Sequence, residues 1–133
     1  MRKVYILSSS IVPIPFKYKS AEASLREITL EEAREILRGG FISAVGHEST
    51  AVFLSKILEI DVRPSRETVY LELGDSAIAI QFSERIGKIE LSLEELKTLY
   101  REHKIRLLHI QLTRAEQEMT QDKEIGDYSK LIF

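Results

Sequence analysis

Short runs of β-branched and aromatic residues alternate in this chain with stretches that open on helix-capping signals, and this alternation most restricts the fold. Lys3-Val4-Tyr5-Ile6-Leu7, Phe41-Ile42-Ser43-Ala44-Val45, Ala77-Ile78-Ala79-Ile80-Gln81-Phe82 and Ile105-Arg106-Leu107-Leu108-His109-Ile110-Gln111-Leu112 each read as strands. Thr29 precedes Glu32 and Ser92 precedes Glu95 at capping-box spacing. One helix is therefore predicted over Leu30–Arg38, stopped by Gly39-Gly40. Another carries Leu93, Leu96, Leu99 and Tyr100 on one stripe. Ala51, Leu54, Ile57 and Leu58 repeat at helical spacing, so a further helix is expected to begin near Ser49 or Thr50. Thr68–Leu73, the turn Gly74-Asp75 and Ala77–Phe82 read as an antiparallel hairpin. Phe16 to Ile28 is mixed in character and reads as loop, with a short strand near Leu25–Ile28. The expectation is a single α/β domain over residues 1–112, a mixed sheet of about four or five strands flanked by about three helices. A polar C-terminal extension would follow over 113–133, with Leu131-Ile132-Phe133 at its end.

Composition narrows the function. The 133 residues carry 19 Lys+Arg against 21 Asp+Glu, a net charge of −2. A protein that coats duplex DNA usually has a strong positive excess, so no duplex-DNA partner is expected, whereas a small anion in a local basic pocket remains compatible. With no cysteine in the chain, disulfides, thiolate catalysis and Cys-ligated zinc are excluded. No run approaches the roughly 18 apolar residues of a membrane helix. The apolar run after Met1-Arg2-Lys3 is broken by Ser8-Ser9-Ser10, Pro13 and Pro15. Neither a membrane partner nor a secretion signal is therefore expected, and a cytoplasmic location is.

The most informative segment is Ala44-Val45-Gly46-His47-Glu48-Ser49-Thr50-Ala51, where a strand hands over to a helix. Helix N-termini attract anions because their first N–H groups are unpaired and the helix dipole is positive there. Gly46 lets the backbone approach a ligand, Ser49 and Thr50 can donate to phosphate oxygens, and histidine is the side chain that exchanges protons near neutral pH. The same residues also read as an ordinary hydroxyl cap beside a surface histidine. Arg66 and Arg85 flank the expected hairpin, with Gln81 four residues before Arg85, so both arginines are expected at one end of the sheet. The planar guanidinium suits phosphate, although solvated strand-end arginines would look the same. His103 reads as part of a polar helix end and His109 as a packed strand residue. Neither has a partner at metal-ligand spacing, so no metal site is expected. Glu31-Glu32 and Glu94-Glu95 fall in helix first turns, where the dipole favours acids. No dinucleotide fingerprint is present, and no cofactor is expected.

Phe41-Ile42-Ser43-Ala44-Val45-Gly46-His47-Glu48-Ser49-Thr50-Ala51 resembles the signature of the viral anti-CRISPR ring nucleases of type III immunity, which degrade cyclic tetra-adenylate. Leu7-Ser8-Ser9-Ser10-Ile11, Arg66, Gly74-Asp75 and Arg85 with Gly87-Lys88 extend the resemblance, which covers roughly Lys3 to Leu99. It implies a homodimer with one symmetric ligand across its two-fold axis and one catalytic histidine, here His47, per subunit. Ser49, Thr50, Arg66, Gln81 and Arg85 would hold phosphate and ribose, and Ser8, Ser9 and Ser10 would line the adenine side. Members of that family usually carry asparagine where Ser8 stands, and an acidic residue between the arginine and the Gly-Lys pair; Arg85-Ile86-Gly87-Lys88 lacks it. Three readings follow: a metal-independent ring nuclease, a protein that sequesters a cyclic oligonucleotide without cleaving it, and a regulator with no nucleotide ligand.

Overall fold

Apolar residues fill both faces of the central strands, and the two faces are covered differently. The computed structural model describes residues 2–9, 11–83 and 92–117. In chain order these form β1 (Val4–Leu7), β2 (Tyr18–Ile28), α1 (Leu30–Leu37), β3 (Ile42–Ala44), α2 (Glu48–Leu58), β4 (Ser76–Phe82), α3 (Leu93–Arg101) and β5 (Ile105–Gln117). One five-stranded sheet has the order β2-β5-β4-β1-β3. β1 is parallel to both β3 and β4, and only β5 runs against its neighbours. The single α/β domain with a mixed sheet and three helices is as the alternation predicts.

The larger core lies under the helices. Ile6, Ile78, Ile80, Ile105 and Leu107 point from the sheet into a cluster with Leu37 of α1, Leu54, Ile57 and Leu58 of α2, and Leu96 of α3. On the opposite face, Tyr5, Leu7, Ala77, Ala79 and Ile110 pack with Leu71, Val69 and Val12, which belong to loops. β4 shows why its sequence alternates Ala and Ile: isoleucines fill the deep helical side, and alanines fit the shallow side covered only by chain crossings. A strand buried on both faces reads as a continuous apolar run.

Two expectations are overturned. The hairpin does not form. β4 lies between β1 and β5, so both of its hydrogen-bonding edges are filled and residues 68–73 have no edge to pair with. They cross the helix-free face instead, where the Leu71 N–H donates to the Pro13 carbonyl at 2.8 Å. The turn itself is real: Asp75 N–H donates to Glu72 O at 2.9 Å and Gly74 sits at φ +93°. The buried Asp75 carboxylate accepts the N–H groups of Lys3 and Glu72, each at 2.9 Å. That pair of bonds steers the chain into β4 beside β1.

The second correction is β2. Tyr18–Ile28 is an eleven-residue strand, not a loop, and it pairs antiparallel with β5 along the sheet edge, with a register shift near Glu22. Only its two ends are buried, so its sequence shows no clean alternation. Its pairing also carries β5 on to Gln117, five residues beyond the expected strand end at Leu112. Residues 118–133 lie outside the described residues.

Candidate functional site

The parallel strands all point their C-terminal ends the same way, and the strand-to-helix handover lies there. Leu7 is level with Ala44 on one side and Ala79 on the other. Ser8 and Ser9 follow the end of β1, Val45 to His47 follow the end of β3, and Gln81 lies near the end of β4, so all of them leave the same end of the sheet. Open α/β sheets gather ligands at this end of their strands.

His47 is the N-cap residue of α2, at φ −110° and ψ 129°. Its carbonyl accepts the first intrahelical bond, from Ala51 N–H at 3.0 Å. The N–H groups of Glu48, Ser49 and Thr50 precede that bond and have no acceptor within the helix. The His47 side chain makes no cap bond to them. The expected hydroxyl cap is therefore a correction: α2 begins at Glu48, one residue ahead of Ser49, so Ser49 and Thr50 lie inside the first turn rather than before it. The His47 side chain is exposed, as is that of Ser49, while Thr50 is half-buried. Gly46 lies close to the crossing segment, and a Cβ there would meet Ser65 O at 3.9 Å.

Arg66 reaches this end by a route other than the expected hairpin. Ser65 N–H donates to the Val45 carbonyl at 2.8 Å, and Ser43 Oγ donates to the Arg63 carbonyl at 2.5 Å. Residues 63–65 thereby run beside the β3 edge, and Arg66 follows directly, next to Gly46. Ser8 is half-buried and Ser9 exposed, with Ile11 N–H 3.5 Å from Ser9 Oγ. Gln81 is half-buried and its Oε1 accepts from Arg106 Nε at 2.5 Å. Arg106 stands in turn 3.5 Å from Glu27. Since Oε1 is engaged, the Gln81 amide nitrogen is left as the donor for a ligand. The structure thus gathers Ser8, Ser9, Gly46, His47, Ser49, Thr50, Arg66 and Gln81 at one sheet end. Ser10, Arg85, Gly87 and Lys88 lie outside the described residues. Among the described residues no group of three or more His, Cys, Asp or Glu side chains is placed to hold a metal.

Sequence reasoning missed Arg106, Ser43 and Ser65. Arg106 meets Gln81 only because β4 and β5 pair in this register, and no local spacing announces that. Ser43 occupies an ordinary strand position, and Ser65 acts through its backbone.

His109 is a packed strand residue, as expected. It is 9% exposed, its Nδ1 has no hydrogen-bond partner among the described residues, and burial with the nearby Arg26 guanidinium lowers its pKa, against a smaller opposing pull from Glu32.

A five-stranded mixed sheet with three helices on one face, and a strand-to-helix junction at the end of its parallel strands, defines a small α/β protein with a histidine and an arginine at that end. The chain belongs to the STIV B116-like family, whose family model matches residues 4–107. It is 38% identical over 100 residues to uncharacterized protein 26 of Sulfolobus islandicus filamentous virus, covering 72% of this chain and 83% of that protein. It is 32% identical over 101 residues to uncharacterized protein ORF117 of Acidianus two-tailed virus, covering 72% of this chain and 85% of that protein. Uncharacterized protein YddF of Bacillus subtilis is 34% identical over 86 residues, 62% of this chain and 75% of its own. Among solved structures, B116 of Sulfolobus turreted icosahedral virus superposes with a TM-score of 0.68 at 25% identity, covering 82% of this chain and 98% of that one. Among the described residues no helix is long and apolar enough to cross a membrane.

Proposed function

We propose that this protein is a metal-independent ring nuclease that opens cyclic tetra-adenylate and so antagonises type III CRISPR signalling from the cytoplasm of the infected cell. The observation that carries the reading is the uncapped N-terminus of α2, with an exposed histidine at the N-cap. Unpaired N–H groups and the positive end of the helix dipole suit a phosphodiester, and a proton donor stands at the same point.

In the reaction, a ribose 2′-oxygen forms a bond to the adjacent phosphorus while the P–O5′ bond breaks. The 2′-hydroxyl proton leaves to solvent, and His47 gives its proton to the departing 5′-oxygen. The products are short linear fragments ending in a 2′,3′-cyclic phosphate. The nucleophile is already tethered to the phosphate it attacks, so little entropic cost remains for a metal to offset. A positioned general acid contributes about 10²–10⁴-fold. Ser49, Thr50 and Arg66 hold phosphate, Gln81 and Arg85 phosphate and ribose, and Ser8 to Ser10 the adenine side. A two-fold homodimer matches a symmetric ring, with one His47 per subunit.

The alternative is a protein that sequesters the ring without cleaving it. The absence of an acidic residue in Arg85-Ile86-Gly87-Lys88 favours it, because a carboxylate there would orient the histidine or the ribose. Incubating purified protein with labelled cyclic tetra-adenylate in EDTA separates the readings. Cyclic-phosphate products support the enzyme. A mobility shift without products supports sequestration and overturns the enzyme, and the absence of both shift and products overturns both readings. Light scattering showing a monomer at micromolar concentration, with and without ligand, would contradict the shared site.

A further inference from the structure

We propose that an apolar ridge on the helix-free face, formed by Ile14, Phe16, Tyr70 and Leu73, is the docking surface for this chain's own C-terminal Leu131-Ile132-Phe133. The inference is independent of the ring-nuclease reading. The tail also lies beyond residues 4–107, the stretch that the family model matches.

Local geometry builds the ridge. Pro13 and Pro15 have fixed φ, and Tyr18 N–H donates to the Pro15 carbonyl at 3.1 Å, closing a turn with Phe16 at its corner. Glycine, proline and small polar residues are the usual occupants of a turn, yet Phe16 stands there fully exposed. The crossing segment supplies the other half. Leu71 N–H donates to the Pro13 carbonyl at 2.8 Å, which brings Tyr70-Leu71 against Pro13-Ile14. Leu73 N–H donates to Tyr18 Oη at 3.0 Å, which places Leu73 next to the turn. Lys17 Nζ, 2.6 Å from Glu72 Oε1, ties the two segments again. Of the eight large hydrophobic residues exposed among those described, five belong to these two segments, the fifth being Ile11. Single exposed apolar side chains are ordinary, whereas a contiguous group marks a contact surface.

The rest of the chain indicates what covers it. β5 ends at Gln117, which is level with Tyr18. Phe16 is two residues from Tyr18, at most about 7 Å along the backbone, so the tail sets out beside the ridge. Residues 118–130 are a polar tether, and three consecutive apolar residues end it. Extended, the tether can span about 40 Å, far more than the distance to be covered. It carries Glu118, Asp122, Glu124 and Asp127 against Lys123 and Lys130. That acidic excess suits the exposed Lys17 and Arg2 at the ridge, where Arg2 Cγ would lie 3.7 Å from a Cβ on Gly74. A short flexible tether gives its end an effective concentration of about 1 mM, so even a weak apolar contact is populated. A second copy of the chain meets the ridge at that concentration only in a millimolar solution, which favours the tail as occupant.

Trypsin digestion of the full chain tests the proposal. The protease cuts after lysine, and the Lys130–Leu131 bond is open to it only while the end is undocked. At micromolar protein, Phe16→Ser and Leu73→Ser should each be cut there about tenfold faster than wild type. That factor is expected when a contact with a Kd of about 0.1 mM meets the tether's effective concentration. Both residues are exposed, so the melting temperature should stay within about 2 °C of wild type. In the reverse direction, Ile132→Asp should shift the amide NMR signals of residues 14–18 and 70–73, and by the same amount after dilution. Equal cleavage of wild type and both ridge variants, with no shifts in Ile132→Asp, overturns the proposal. Shifts that fade on dilution assign the ridge to a second copy and also overturn it. So does a Phe16→Ser protein that loses a dimer which Ile132→Asp keeps without any shifts. Each of these results leaves the ring-nuclease reading standing.

Discussion

The N-termini of α1 and α3 are closed, and that of α2 is open. At α1, Thr29 Oγ1 accepts the Glu32 N–H at 3.0 Å and the Glu32 carboxylate accepts the Thr29 N–H at 3.1 Å. At α3, Ser92 and Glu95 repeat the arrangement, both bonds at 3.1 Å. At α2 a histidine holds the cap position and its side chain makes no cap bond. The first two ends are finished for stability, each box satisfying two orphan donors. The third forgoes a stabilisation of about 1 kcal/mol, and it is the end that lies beside Ser9, Arg66 and Gln81. Local stability and anion binding compete for such N–H groups, and the proposed function assigns them to different helices.

If that contrast is right, breaking the closed caps should cost stability alone. Thr29→Ala and Ser92→Ala should each lose about 1 kcal/mol, seen as a fall in the melting temperature of roughly 4 °C, with ring cleavage unaffected. His47→Asp should do the reverse. It installs a side-chain cap and places a negative charge at the positive end of the dipole, so stability should rise by about 0.5 kcal/mol while cleavage is lost. A destabilised His47→Asp protein would show that the α2 end is not an unused cap.

Acid should act on the closed cap and on the core. The Thr29 N–H, then the Arg26 guanidinium, hold the Glu32 carboxyl below its ordinary value of 4.5. Its contribution is present above that value and is lost as pH falls through the lowered one. His109 works in the same direction by a different route. Burial, with Arg26, depresses it below 6.5, so the unfolded chain takes up a proton first and stability declines as pH drops below about 6.5. Urea midpoints should therefore fall in two stages on acidification. Glu32→Gln should flatten only the lower stage; an unchanged lower stage would show that the α1 cap does not titrate as described. The smallest effect is expected at Ser49→Ala, within about 0.5 kcal/mol in stability, because Ser49 caps nothing. Its affinity for cyclic tetra-adenylate should nonetheless drop.

Features set by neighbours in sequence were legible there. Both capping boxes, the apolar strands and the Gly46-His47 junction depend on residues within a turn of one another. What depended on distant partners was not. β2 is a strand because β5 lies beside it, and its exposed edge leaves little periodicity to read. Residues 68–73 alternate as a strand would, yet β1 and β5 occupy the edges they would need. Arg66 reaches the site through Ser65 and Val45 rather than through a hairpin, and Arg106 through the β4–β5 register. His47 could be singled out, but its position as the cap of α2 could not, because a neighbouring hydroxyl is the usual cap.

The central claim is that His47 supplies a proton at an anion-binding helix end, and a split between binding and chemistry in His47→Ala tests it most directly. A general acid contributes while the leaving oxygen departs, so its removal lowers turnover much more than affinity. In single-turnover cleavage of cyclic tetra-adenylate with EDTA present, His47→Ala should be slower than wild type by about 10²-fold or more. It should retain the ring with near wild-type affinity, remain folded and remain dimeric. Cleavage by His47→Ala at the wild-type rate, or wild-type cleavage abolished by EDTA and restored by added metal, would contradict the account.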